Sequence, residues 1–418
     1  MKTLAIQSVL YNTPAKELDR LFQCLRSLMT PEGWWLEVRT GNCGNPVVFP
    51  DSFRESLDGA NIAWTHEEFG ENLGFGSGHN RLFRQAPSDR VWLLNPDAAF
   101  ARDVLVRLCG FMDERANCGI AEPRILPVEH SKAVDFDTYQ TGWCSGCAPL
   151  VDSHLFQKVG GFDEAFFLYA EDVDLSWRIK GAGGALYCCP WAGVYHTRSG
   201  EPSESERLWS QVSELLLLKK DQRLGHLQCR LGDLAMGDQD WLRRVLSEVT
   251  NRLPNLAQTS DNEQRAASWS GRLNSPIRWH PVPIDPTDTT FCGTVSISEG
   301  NEDDAMESEL GAWVAGATVI SGPADLELEA GQIPFPSGLP PKSWLTSSTI
   351  ACGPGWLSTG MSGWDGSASG VQRQPGGVKT EPIRDPEGWR FWVRRMRAVT
   401  RLRSLSPDLA KLVRQIVD

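Results

Sequence analysis

Two adjacent carboxylates, Glu171 and Asp172, follow an aromatic run and are the residues of this sequence best suited to moving a proton. They stand in Gly161-Phe162-Asp163-Glu164-Ala165-Phe166-Phe167-Leu168-Tyr169-Ala170-Glu171-Asp172-Val173-Asp174-Leu175-Ser176-Trp177-Arg178. The pattern after Ala170 predicts a helix start, where the helix dipole favours negative charge and keeps a carboxylate ionised. Asp172 is thereby a candidate general base, with Glu171 as the alternative. On such a helix Asp174 points roughly 200° away from Asp172, so the two cannot share one task. Asp174 instead faces Arg178 four residues on, as a structural bridge.

Another carboxylate closes an apolar strand in Val91-Trp92-Leu93-Leu94-Asn95-Pro96-Asp97. In open α/β sheets the carboxyl ends of strands are where ligands bind. A single Asp there suits a divalent metal bridging a diphosphate, although Asn-Pro-Asp also fits a plain turn. His196, in Gly193-Val194-Tyr195-His196-Thr197, ends a later apolar stretch. Alone it reads as a core histidine; beside Asp97 it becomes a second metal ligand. Glu71-Asn72-Leu73-Gly74-Phe75-Gly76-Ser77-Gly78-His79-Asn80 places three glycines at alternate positions. Such spacing lets backbone amides approach a phosphate or a sugar. A dinucleotide fingerprint would need this loop after the first strand, so a dehydrogenase is disfavoured.

Alternating short strands and helices must position these groups. Leu4–Leu10, Trp34–Val38, Ile62–Thr65 and Val91–Leu94 read as strands, with helices over Ala15–Leu28 and near Gly78–Gln85. That alternation predicts an α/β sheet layered on both faces. Glu204 to Leu253 has helical periodicity, and residues 255–290 lose it and read as a linker. From Thr290 to Gly388 the chain is rich in Gly, Ser, Pro and Trp, with β-like runs at Thr294–Ser298 and Trp313–Ile320. The expected division is a catalytic domain over 1–225, a helical extension and linker over 226–289, and an accessory region over 290–418, β-rich or partly disordered.

The 418 residues are 41% hydrophobic and 22% charged, as in a soluble globular protein of two domains or one with an appendage. A formal net charge of −12 argues against a nucleic-acid partner. No run of 18 apolar residues occurs, and the opening apolar run is too short for a secretory signal. The eleven cysteines are scattered, which fits free thiols in a reducing, cytoplasmic setting. Cys144, Cys147, Cys188 and Cys189 are expected to be small apolar residues of core strands.

Taken together and in this order, these segments resemble family 2 glycosyltransferases of the rhamnosyltransferase-like branch, over about residues 4–200. The resemblance rests on Tyr11-Asn12, the Asn72–Asn80 loop, Asn95-Pro96-Asp97, Ser145-Gly146-Cys147, Gly160-Gly161-Phe162-Asp163-Glu164, Glu171-Asp172-Val173-Asp174-Leu175 and His196. It implies the GT-A fold, a mixed sheet flanked by helices with a nucleotide-binding first half and an acceptor-binding second half. It further implies a nucleotide-sugar donor held by Tyr11, Asn12, Asn72, Gly74, Gly76, Asn80 and Asp97. A Mg or Mn ion would sit on Asp97 with help from His196, and Asp172 would be the base. The implied reaction moves a hexosyl or rhamnosyl group to a glycan or lipid-linked acceptor, with inversion.

Two departures stand out. The family's Asp-Asn-x-Ser segment is replaced by Thr40-Gly41-Asn42-Cys43-Gly44, and Ala99 fills the third place of the Asp-x-Asp metal motif. A non-catalytic sugar- or glycan-binding protein on a decayed transferase fold is the competing reading. Near the C-terminus, Arg390–Arg403 carries six arginines and no acid. Trp389–Leu405 places Trp392, Met396, Val399 and Leu402 close to one helical face, and Arg390–Arg394 also fits an edge strand. The helical reading gives peripheral contact with the inner face of the cell membrane. If Asp172 is the base, Asp172→Asn lowers transfer by roughly 10²- to 10⁴-fold and leaves donor binding almost unchanged. Comparing steady-state rates with donor titrations checks this; near-normal turnover would move the role to Glu171.

Overall fold

The computed structural model describes residues 2–257, apart from short stretches at 50–61 (Leu57 excepted), 127–131, 133, 136–137 and 197–201. Beyond these it describes three short strands between residues 294 and 328, residue 395, and residues 397–417. The expected linker from residue 258 onward lies outside the described residues, as does most of the stretch to Gly388.

In chain order the first half runs β1 (Lys2–Leu10), α1 (Ala15–Arg26), β2 (Trp34–Asn42), β3 (Ala63–Glu68), α2 (Phe75–Phe83), β4 (Arg90–Leu93), β5 (Ala98–Phe100) and α3 (Val104–Asp113). It continues through β6 (Cys118–Leu126), β7 (Leu150–Asp152), α4 (Ser153–Lys158), α5 (Glu171–Gly181) and β8 (Ala185–His196). The eight strands form one sheet in the order β3-β2-β1-β4-β7-β6-β8-β5. β3, β2, β1 and β4 are parallel, β7 is antiparallel to β4 and β6, and β5 is antiparallel to β8. This mixed sheet flanked by helices is the architecture that the GT-A resemblance implies. Because β2 and β4 lie on opposite sides of β1, chain order reverses there and opens a crevice at the strands' carboxyl ends.

Apolar alternation decides which helices cover which face. Leu4, Ile6, Leu36, Val38 and Trp92 pack with Leu21, Phe22 and Leu25 of α1 and Leu105 and Leu108 of α3. Val91 and Leu93 face the other way, onto Phe156, Leu175 and Ile179 of α4 and α5.

After the sheet come α6 (Glu204–Lys220), α7 (Leu224–Leu234) and α8 (Gln239–Arg252), then β9 (Thr294–Ile297), β10 (Thr318–Val319), β11 (Leu326–Leu328) and α9 (Pro407–Val417). The last three strands pair in parallel, matching the β-like runs in part. α6 opens with a capping box in which Ser203 and Glu206 satisfy each other's backbone amides. Leu208, Leu215, Leu231, Val245 and Leu246 form a second core with Leu409, Val413 and Ile416 of α9. Among the described residues the boundary expected at 225/226 is therefore no packing boundary, since helices on both sides of it share one core with the C-terminal helix.

That core also receives Phe166 from the motif segment. Lys220 Nζ lies 2.6 Å from Asp163 Oδ2 and 2.5 Å from Asp174 Oδ1, with its side chain 1% exposed. Arg178 Nε donates to Asp174 Oδ2 at 2.7 Å, the i,i+4 bridge that the spacing predicts. Further bonds run from Ser213 Oγ to Leu168 O, Arg252 to Ala165 O and Ala257 N to Asp163 Oδ2.

Of the arginine-rich segment, Trp389–Arg394 and Met396 lie outside the described residues, and residues 397–403 are helical as expected. Among the described residues of this segment, Ala398 sits where a side chain on Gly232 would be, and Leu402 and Leu405 pack on the helical core. Arg395 Nε donates to Gln228, and Arg401 faces Asp233 at 3.8 Å. Among the described residues no helix is long and apolar enough to cross a membrane. Lys220→Met leaves Asp163 buried without its cation and is expected to destabilise the protein by about 3–5 kcal/mol. Denaturant unfolding measures this; a loss below about 1 kcal/mol would mean that the Lys220 contacts do not hold the two halves together.

Candidate active site

Asp97 follows β4 at the crevice, and two contacts fix it there. Arg20 donates to its carbonyl at 2.9 Å, and Asn95 N donates to Cys147 O at 2.8 Å. The β5–β8 pairing sets Ala98 opposite His196, 98 positions away in sequence. His196 Nε2 consequently lies 3.0 Å from Asp97 Oδ2 and 3.2 Å from Asn95 Nδ2. Burial works against a charged imidazole here, yet Cys147 and Asp97 outweigh it and push His196 well above the ordinary histidine range. Once the imidazole has given up its proton, its nitrogen and the Asp97 carboxylate could join diphosphate oxygens around Mg or Mn. Among the described residues no group of three or more His, Cys, Asp or Glu is arranged to hold a metal by itself.

Asp172 occupies the first turn of α5. Its Oδ2 accepts from Gly146 N at 2.9 Å and its Oδ1 from Val173 N at 2.8 Å. A side chain on Gly146 would press on Phe75 and approach Asp172, so glycine permits that contact. Tyr169 and Ala170, just before the helix, have φ of 69° and 62°, a left-handed pair without glycine. Such backbone costs about 1–3 kcal/mol per residue, and here it delivers Glu171 and Asp172 to the crevice. Burial raises the Asp172 pKa from 3.8, against the lowering effect of Gly146, Val173 and Lys132. Burial beside Asp172 lifts Glu171 well above its ordinary value. The expected dominance of the helix dipole is thus corrected: removal from water outweighs it.

The turn Cys144-Ser145-Gly146-Cys147 joins the two centres, since Gly146 holds Asp172 while Cys147 contacts Asn95 and His196. The nine described cysteines are free and buried, but two are more than apolar filler. Cys147 is among the groups that raise the His196 pKa, and Cys188 Sγ donates to Glu122 Oε1 at 2.6 Å. Glu122 and Lys132 escaped the sequence reading. A glutamate inside the apolar run Ile120–Leu126 was the available signal.

The residues expected at the donor also have partners within the protein. Cβ atoms at Gly74, Gly76 and Gly78 would strike Phe167 O at 2.2 Å, Phe162 Cβ at 2.8 Å and Val9 Cγ1 at 2.9 Å. These glycines let α2 press against β1 and the motif segment. Asn80 is buried and clamps Phe162, donating to its carbonyl at 2.9 Å and accepting from its amide at 2.8 Å. Asn72 is exposed and accepts from Gly74 N. Tyr11 is 57% exposed beside the crevice. Asn12 has φ 49° and holds the neighbouring loop by accepting from Asn45 N and Nδ2. In the departing segment, Thr40 pairs with His66 and Trp64, and Asn42 with Glu68.

No protein-family model matches the chain. Over 29% of its length it is 30% identical to rhamnosyltransferase WbbL of Escherichia coli (strain K12), covering 61% of that protein. Over 14% of its length it is 47% identical to the N-acetylglucosaminyl-diphospho-decaprenol L-rhamnosyltransferase of Mycobacterium tuberculosis (strain ATCC 25618 / H37Rv), covering 19% of it. The chain is similar in part to these two rhamnosyltransferases. It spans less than two thirds of the length of these relatives. Among solved structures, GalNAc-T7 with UDP, GalNAc and Mn2+ is 14% identical, with TM-score 0.47, over 62% of this chain and 56% of that one. S. aureus TarS 1-349 in complex with UDP-GlcNAc is also 14% identical, with TM-score 0.42, over 62% and 82%.

If Asp172 must be ionised to act, the upward shift from burial fixes the sign of the pH dependence. Turnover is expected to fall as pH drops through a value above 3.8. A pH–rate profile checks this; activity still undiminished at about pH 4 would contradict it.

Proposed function

We propose that this chain is an inverting nucleotide-sugar glycosyltransferase that moves a hexosyl, foremost a rhamnosyl, group onto a hydroxyl of a glycan or lipid-linked acceptor. The supporting observation is the Ser145-Gly146-Cys147 turn, which links a half-buried general-base candidate to a carboxylate–imidazole pair at the crevice where strand order reverses. The relatives' names support the rhamnosyl donor, and the M. tuberculosis relative's name supports an acceptor carrying N-acetylglucosamine on a diphospho-lipid.

In this mechanism Asp172 takes the proton from the acceptor hydroxyl, whose oxygen attacks the anomeric carbon opposite the leaving diphosphate. That geometry inverts the anomeric configuration without a covalent intermediate. Gly146 N and Val173 N hold the carboxylate in place. Asp97 and His196 are the residues that would hold a divalent Mg or Mn ion, which when bound supplies Lewis-acid stabilisation of the departing diphosphate. Tyr11 and Asn12 border the donor at the end of β1. Contact with a lipid-linked acceptor would occur peripherally, at the inner face of the cell membrane. Exposed Arg397 and Arg403 of the C-terminal segment are its candidates, since Leu402 and Leu405 beside them pack on the helical core.

The experiment is release of nucleoside diphosphate from UDP-, dTDP- and GDP-rhamnose, with Mn2+ or with EDTA. The wild type is expected to turn over at least one donor and to lose activity in EDTA. Asp97→Ala should weaken metal-dependent donor binding by about 10- to 100-fold. Donor binding without any release would favour the non-catalytic sugar-binding reading. Equal binding with and without metal, in wild type and mutant alike, would remove the metal from Asp97.

A further inference from the structure

Glu122 lies in the middle of β6 with 2% exposure, a position where a carboxylate needs partners. Its Oε2 accepts from Ser145 N at 2.6 Å and its Oε1 from Cys188 Sγ at 2.6 Å, and Lys132 Nζ forms an ion pair with Oε1. Lys132, whose side chain is 6% exposed, also donates to Trp143 O at 3.2 Å and lies 4.6 Å from the Trp143 ring centroid. From α5, Ser176 Oγ accepts from Cys144 N at 3.0 Å. The turn over residues 143–146 is therefore held by a buried ion pair on one side and by α5 on the other. Its next amide, Gly146 N, is the one that grips Asp172.

We propose that Glu122 and Lys132 are positioning residues: the buried pair fixes the turn that presents Gly146 to Asp172, and it sets the charge that Asp172 faces. The inference rests on the reading of Asp172 as the general base. A buried ion pair is seldom the most stable filling for its space, since apolar residues of similar volume often do as well or better. The pair's hydrogen bonds to Ser145 and Trp143 give it a task that apolar side chains cannot perform. Neither residue touches the crevice chemistry directly; both act through the turn. The charged groups around Asp172 are Glu171 and Asp174 on its own helix, and Lys132 and Glu122 beneath the turn. Lys132 favours the ionised carboxylate and Glu122 opposes it, so removing each moves Asp172 in opposite directions.

The test is the pH profile of nucleoside diphosphate release from whichever of UDP-, dTDP- or GDP-rhamnose the wild type turns over. Lys132→Met is expected to move the acid limb up, and Glu122→Gln to move it down, each by roughly half a pH unit or more. A purely structural role would lower activity without opposite shifts. Glu122→Asp keeps the charge but shortens the reach to Ser145 N. It should leave the limb in place and lower kcat about tenfold with donor KM unchanged. That charge-conserving variant carries the test if either of the others does not fold. Limbs that stay put or move together, or a wild-type kcat in Glu122→Asp, overturn the positioning role. Asp172→Asn separates this failure from that of the underlying reading. If it retains the wild-type rate, Asp172 is not the base and the positioning role falls with it. If it abolishes turnover while the limbs stay put, only the positioning role is lost.

Discussion

Lys220 carries its ammonium group into a place where two carboxylates, Asp163 and Asp174, wait to receive it. Asp163 lies in the aromatic segment that leads to α5, Asp174 lies on that helix, and Lys220 ends the first helix after the sheet. One cation thus binds the approach, the helix and the following bundle. A charge with 1% exposure is tolerated only while its partners stay in reach, so each element constrains the others. The segment also places Phe166 in the bundle core and hydrogen-bonds to Ser213, Arg252 and Ala257. The helical extension is thereby part of the site's support, and the strained pair Tyr169–Ala170 is held by contacts on both sides. Tyr169 itself donates to Glu206 of the α6 capping box.

The two chemical centres meet through a single turn. β4 brings Asn95 and Asp97 to the crevice, and the antiparallel pairing of β5 with β8 returns His196 to the same place. The turn before β7 lies between them and Asp172, using backbone amides and a thiol. Backbone contacts of this kind hold atoms more tightly than long side chains do, because little rotamer freedom remains to be lost. Beneath the turn, the buried Glu122–Lys132 pair hydrogen-bonds Ser145 N and Trp143 O.

Much of the molecule was legible in one dimension. Periodicity located the strands at 4–10 and 91–94 and the helix after Pro14, and i,i+4 spacing paired Asp174 with Arg178. These succeed because a local repeat decides which face of a strand or helix is buried. The glycine loop was less legible, because glycine spacing reports close approach without saying what approaches. Here Phe167, Phe162 and Val9 do, and no ligand is needed to explain the spacing. Asn80 was less legible for a similar reason, since an amide that could meet a sugar also meets the Phe162 backbone.

What the sequence determined by itself was the set of chemical groups and the local elements that carry them: a carboxylate at a helix start, another at a strand end, and a histidine closing a late strand. Tertiary structure alone decided which of these share a site. The contact of Asp97 with His196 depends on sheet register, and that of Asp172 with Gly146 on how α5 packs under the 144–147 turn. It also decided protonation, because burial raises the Asp172 and Glu171 pKa values where the local helix dipole would lower them. Neither register nor burial is encoded in nearest-neighbour spacing. Both arise when segments about a hundred residues apart compete for one core, and that competition is resolved only in three dimensions.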